Sequence, residues 1–313
     1  MQRNTFKSSL FYNLMEEHNA NISHKNWHDK YYKILLIIPL ILLIFSFVYM
    51  VNFYNKHGDF IQKDISLTGG TSVTLYEKLD VNKLEQELQS KFKEVNVREV
   101  YDLITREQKA VIIETTSDAD ETKSVLEEYL KYELTEENSS FEFTGSILSQ
   151  GFYRQLLIAI LIAFVLMGIV IFIIFRIFVP SIAVVISAFA DILMTLVVVN
   201  MLGIKVSTAG IVAFLMLIGY SVDTDILLTS RVLKREGDSL NKKIFDSFKT
   251  GMTMTLTALF SVLVALFIVK SFSSVLAQIF TILSIGLAFD IFNTWITNVS
   301  LLKWYVLKKS KNG

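Results

Sequence analysis

Apolar and polar positions along this chain are organised on two length scales. Six apolar runs, at residues 34–53, 156–175, 180–202, 206–230, 252–269 and 277–302, are long and nearly unbroken. Each is close to the roughly 20 residues that a helix needs to cross a hydrocarbon core. Pro39 lies near the start of the first, where it kinks a helix without ending it. Between residues 54 and 150 the blocks are short and charges run throughout. Alternation predicts strands over 71–76, 95–104, 109–115 and 141–144, and 3.6-residue periodicity predicts helices over 81–92 and 119–132. The order is β-α-β-β-α-β, that of the ferredoxin-like split motif.

The fold class expected is therefore a polytopic α-helical membrane protein: six transmembrane helices plus one external α+β ferredoxin-like domain. Its parts are a tail (1–33), a first transmembrane helix (34–53), the external domain (54–150), a five-helix block (151–303) and a short tail (304–313). In the first tail, Phe6, Leu10 and Leu14 recur at four-residue spacing, a stripe suited to a membrane surface or a partner.

Composition agrees, since 52% of the residues are hydrophobic and only 2 are proline. The formal net charge is zero, so orientation has to be read from where Lys and Arg sit. They gather before residue 34, between Arg231 and Lys249, and from Lys303 onward, whereas the short loops on the other side hold only Lys205 and Lys270. This bias places both termini in the cytosol, the domain at 54–150 outside, and the chain in the cell membrane as a multi-pass protein. With no Cys there is no disulfide, thiolate nucleophile or Cys-based zinc site, and the four His all precede the main apolar block. No removable signal peptide is expected ahead of the first run. No P-loop or hydrolytic constellation is present, so no enzyme activity, cofactor, metal site or nucleic-acid partner is expected.

Polar residues inside the apolar runs carry the candidate chemistry. Ser187, Asp191 and Thr195 share one face of the third run, and Asp290, Asn293, Thr294, Thr297 and Asn298 share one face of the sixth. The fifth opens with Lys249, Thr253, Thr257 and Ser261. The fourth carries Asp223 and Asp225, which point about 200° apart on a helix, so it needs protein or water on more than one side. Hydroxyl stripes serve mainly as interhelical contacts worth about 1 kcal/mol each. Carboxyl groups without a cation at their depth mark ion paths, so Asp191, Asp223, Asp225 and Asp290 are the candidate proton relay, with Lys249 at one mouth. Lys249 is equally well read as an ordinary flanking cation that snorkels to water.

Two strings give these features a context. Gly219-Tyr220-Ser221-Val222, followed by acids and Arg231, resembles the fourth-span signature of the SecF family of protein-export membrane proteins. Leu67-Thr68-Gly69-Gly70-Thr71 resembles the box that opens the family's external domain, with Ser66 where bacterial members have Asp. Ala190 replaces the His of a His-Asp pair, the bacterial fourth-span Asp aligns with Thr224, and Lys249 stands for the usual Arg. These departures resemble the archaeal branch. Asp290 has no match in the bacterial pattern and is the acid most expected to be structural. The resemblance implies a SecD-like partner subunit, a SecYEG-type channel, an unfolded secretory polypeptide as cargo, contact with membrane lipid, and use of the proton gradient. Two alternatives share the architecture: a small-molecule or lipid exporter of the same superfamily, and a non-transporting assembly factor for the translocon.

Overall fold

The computed structural model describes residues 34–102, 105, 107–234, 237–270 and 273–312. The Phe6, Leu10 and Leu14 stripe lies outside them. Among the described residues, six helices are long and apolar enough to cross a membrane, and a four-stranded sheet stands between the first and the second.

Helix α1 (Ile37–His57) ends at Gly58 in the left-handed region and leads into the single turn α2 (Ile65–Thr68), which Asp64 caps by accepting from the Ile65 N–H. The sheet domain follows as β1 (Gly70–Leu75), α3 (Val81–Lys91), β2 (Val95–Tyr101), β3 (Gln108–Thr115), α4 (Ala119–Leu130) and β4 (Ser139–Thr144). The element order is the one the pattern predicts, and the strands pair antiparallel in the order β2-β3-β1-β4. Alternation explains the packing. Val73, Leu75, Val111 and Ile113 face one side and bury against Leu84 and Leu88 of α3 and Leu126 of α4. Asp80 and Asp118 cap the two helices, each accepting from backbone N–H groups of the first turn.

The bundle is made of α5 (Ser146–Phe175), α6 (Phe178–Met201), α7 (Thr208–Lys234), α8 (Leu240–Val269), α9 (Ser274–Phe292), a π-helical segment (Asn293–Asn298) and α10 (Val299–Asn312). The sixth apolar run is thus one continuous helical rod with a wider turn in its middle. Burial is uneven: over half of the apolar window of α6 is buried, against 6% of that of α5. α6 and α7 form the centre, and α1, α5 and α8 present apolar side chains outward. α5 begins about a turn and a half before residue 151, since its first turns are helical outside the apolar stretch that the sequence marks.

Candidate functional site

The inward faces of α6, α7 and the sixth rod are polar. On α6, Ser187, Asp191 and Thr195 are fully buried; on α7, Ser221, Thr224, Asp225 and Thr229 follow the helical repeat and are buried too. The π segment supplies the third side. One extra residue per turn lets Asn293, Thr294, Thr297 and Asn298 all bury beside Asp290, and π turns of this kind recur at functional sites.

Three of the four predicted acids meet here. Asp191 accepts from Ser221 Oγ at 2.5 Å and from Asn293 Nδ2 at 2.7 Å, so both its oxygens are occupied. Thr224 Oγ1 stands 3.1 and 3.2 Å from the two oxygens of Asp290. Thr294 Oγ1 lies between two acids, 2.9 Å from Asp225 Oδ1 and 3.2 Å from Asp290 Oδ1. Asn298 Nδ2 donates to Asp225 Oδ1 at 2.7 Å. The carboxyl groups lie within electrostatic reach of one another, and among the described residues no ion pair reaches them. Neutral donors rather than cations therefore hold this cluster. Such an arrangement can pass a positive charge from acid to acid without breaking a salt bridge. Among the described residues, no group of three or more His, Cys, Asp or Glu side chains is spaced to hold a metal ion.

Asp290, a relay candidate in the sequence and the acid there most expected to be structural, is hydrogen-bonded within this network. Asp223 does not join it: the side chain is exposed on the opposite face of α7, with Gly219 and the 43%-exposed Tyr220. Lys249 is exposed on α8, as are Thr253, Thr257 and Ser261, whose hydroxyls donate back to their own helix. Arg231 works at the far end, where Nη1 donates to Asp246 O at 2.7 Å and Thr250 Oγ1 at 3.0 Å and so ties α7 to α8.

At the other end, the strap between α1 and β1 is stitched to the α6–α7 loop. Asp64 N–H donates to Val206 O at 3.0 Å and Val206 N–H to Gln62 O at 2.6 Å. Asn200 Nδ2 donates to Phe60 O at 2.8 Å, and Ser66 Oγ accepts from Thr208 N–H at 3.1 Å, capping the start of α7. A short polar side chain at position 66 thus has a local task. Gln278 of α9 extends the seam, accepting from Ser207 N–H at 3.0 Å. The Thr68-Gly69-Gly70 box closes it: Gly69 has φ +85°, and a Cβ there would fall 2.4 Å from Ser146 Cα. A Cβ on Gly70 would fall 2.2 Å from Thr115 O, so the pair is required for backbone fit.

Sequence reasoning missed a latch at this end. Tyr153 of α5 donates to Asp59 Oδ1 at 2.5 Å, and Lys63 pairs with Asp59 Oδ2 at 2.8 Å while lying over the Tyr153 ring. Burial pushes the Asp59 carboxyl up, but Lys63, Tyr153 and the Phe60 N–H together outweigh it and hold it below the usual carboxylate range. Ninety-four positions separate Asp59 from Tyr153, and no periodicity relates them.

Comparison with known proteins agrees with this architecture. Residues 124–308 match the family described as protein export membrane protein SecD/SecF, C-terminal. The chain is 38% identical over 284 residues to protein-export membrane protein SecF of Methanocaldococcus jannaschii, covering 88% of this chain and 96% of that one. It is likewise 38% identical over 284 residues to SecF of Methanolacinia petrolearia, with 89% and 95% covered. Among solved structures it is similar in fold to SecDF, a translocon-associated membrane protein from Thermus thermophilus, with a TM-score of 0.70 and 19% identity over 91% of this chain and 39% of that chain. A match over more than half of the chain and relatives of this identity along nearly their whole length leave one assignment: the chain belongs to the SecD/SecF family of protein-export membrane proteins, on its SecF side.

Proposed function

We propose that the chain is the SecF-type subunit of a Sec export assembly in the cell membrane, paired with a SecD-like subunit and driven by an ion gradient through its buried acids. Both termini lie in the cytosol and the sheet domain lies outside, where it meets unfolded polypeptide leaving a SecYEG-type channel. The carrying observation is the cluster of Asp191, Asp225 and Asp290, fully enclosed by three helices and held by hydroxyl and amide donors. Ionisable groups at membrane depth are costly and are kept where a charge has to move. A charge crossing about 100 mV releases about 2.3 kcal/mol, enough to bias two arrangements of a domain.

The partner reading rests on the outer surface of the bundle. Asp223 and Tyr220 on α7 are exposed within a predicted membrane span, where a lone chain would meet lipid. Polar groups there are stabilised by a neighbouring polar protein surface and not by hydrocarbon. The stitched strap supplies the route from bundle to domain: a displacement of the α6–α7 hairpin carries the base of the sheet with it.

Export into membrane vesicles, with and without an imposed gradient, tests the proposal. At least one of Asp191→Asn, Asp225→Asn and Asp290→Asn is expected to abolish gradient-dependent stimulation while expression and co-purification of the SecD-like subunit stay normal. Full stimulation in all three would overturn the ion-path reading. Absence of any SecD-like protein after gentle solubilisation and affinity capture would overturn the partnership.

A further inference from the structure

α5 and α6 form a hairpin whose outer side is open. On the side of α6 turned away from Ser187 and Asp191, the two helices leave a groove of about 490 Å³ between them. That lies within the roughly 300–1,000 Å³ of small-molecule sites. Its walls are apolar and exposed: Ile169, Phe172 and Ile173 on α5, and Phe178, Ile182 and Ile186 on α6. Gly168 lines it as well. A Cβ there would meet only Val185 Cγ2, at 3.7 Å, so the missing side chain keeps the groove open.

The turn at the end of the groove adds charge. Arg176 closes α5 in the left-handed conformation, between the wall residues Ile173 and Phe178, and its side chain is exposed. From Phe143 to Ala190 the chain has no Asp or Glu. The neighbouring cation, Lys234 of α7, is already engaged, with Nζ donating to Ile174 O at 3.1 Å and lying over the Phe175 ring. Among the described residues nothing pairs with the Arg176 guanidinium. α6 begins beside it without a capping side chain, so the first N–H groups of that helix add positive potential at the same place. A guanidinium free of carboxylates is suited to phosphate, which it meets with paired N–H donors.

We propose that this groove and Arg176 form a binding site for one anionic phospholipid, with an acyl chain between α5 and α6 and the phosphate on Arg176. The apolar walls and the cation at their end match the two parts of that molecule in order. Basic sites between membrane helices are a known setting for anionic headgroups. A partner's helix is the competing occupant, and it fits less well. A helix is about 10–12 Å across, wider than the crease between two helices packed about 8–10 Å apart. The walls also carry Phe and Ile where helix contacts in membranes favour small residues. The site stands apart from the acid cluster and does not depend on it.

The test uses the full chain with the subunits that co-purify with it. The assembly is titrated with dioleoyl phosphatidylglycerol or dioleoyl phosphatidylcholine, and retained lipid is counted by native mass spectrometry. Phosphatidylglycerol is expected to bind about fivefold more tightly, the scale of one Lys or Arg at an anionic membrane surface. Arg176→Gln should remove that preference and Arg176→Lys should keep most of it. Gly168→Leu, which fills the groove, should lower retention of both lipids. Lys270→Gln, at the other end of the bundle, should change nothing. Glycerol 3-phosphate, which has the phosphate and no chain, should not displace the lipid. Elution and thermal unfolding show whether each variant assembles, and if Gly168→Leu does not, the two Arg176 variants decide. Ile182→Cys should react with a membrane-dissolved maleimide, because bound lipid exchanges with the bilayer. Protection of that Cys until the assembly is denatured would show a partner's helix in the groove and overturn the proposal. Equal retention of the two lipids, displacement by glycerol 3-phosphate, or an unchanged preference in intact Arg176→Gln would overturn it too.

Discussion

The sheet domain and the membrane bundle differ in where they put their polar groups. In the domain, Val73, Leu84, Ile113 and Leu126 are buried and the charged pairs Lys78–Glu107 and Lys91–Glu128 lie outside. In the bundle, the exposed surface is largely Leu, Ile, Val and Phe, and the centre sets a cluster of Asp, Asn, Ser and Thr among buried apolar residues such as Leu217, Leu228 and Ile282. Water makes the first arrangement stable, whereas lipid gives no such drive for apolar helices to associate. The polar centre of the bundle therefore calls for a functional explanation, and the apolar centre of the domain does not.

Four measurements sharpen or break that contrast. The largest effect is expected from Asp225→Asn, which keeps size and hydrogen-bonding reach but removes the carboxylate. It should eliminate gradient-dependent export without loss of folded protein, and an equal loss of folded protein would make the cluster ordinary packing. Leu126→Ala should do the reverse, destabilising the domain by about 2–5 kcal/mol, as seen in faster proteolysis of the domain, while the bundle stays intact. Gly69→Ala should cost about 1–3 kcal/mol through its left-handed backbone, with a further penalty from the approach to Ser146, and should loosen the domain from its base. Protease sensitivity unchanged from the parent chain would sink that reading of the box. The smallest effect concerns Asp59. Because its folded-state pKa is depressed, the latch contributes stability that is complete above the ordinary carboxylate range and is lost as pH falls through the depressed value. Lys63→Met should remove most of this acid sensitivity, measured as protease protection of the strap against pH.

Much of this was legible in the sequence, though unevenly. Hydropathy marked all six membrane helices, and alternation marked the strands to within a few residues, because each depends on local pattern alone. The spacing of Asp223 and Asp225 already required opposite faces, and one is buried and the other exposed. The π segment was hidden, since Asp290, Asn293, Thr294, Thr297 and Asn298 fit an α-helical stripe equally well. The early start of α5 was hidden too, because helical turns outside the membrane need not be apolar. Pairings such as Asn298 with Asp225, or Tyr153 with Asp59, depend on how distant elements are brought together and leave no periodic trace.

The closeness of Gly69 to Ser146 and the pairing of Gly70 with Thr144 have a further consequence. The chain enters and leaves the sheet domain at neighbouring points, so everything between forms an insertion with adjacent ends. Such modules are gained, lost or exchanged without rethreading their host. The six-helix bundle and the sheet domain are thus joined through one pair of adjacent chain ends, where a different domain could be grafted.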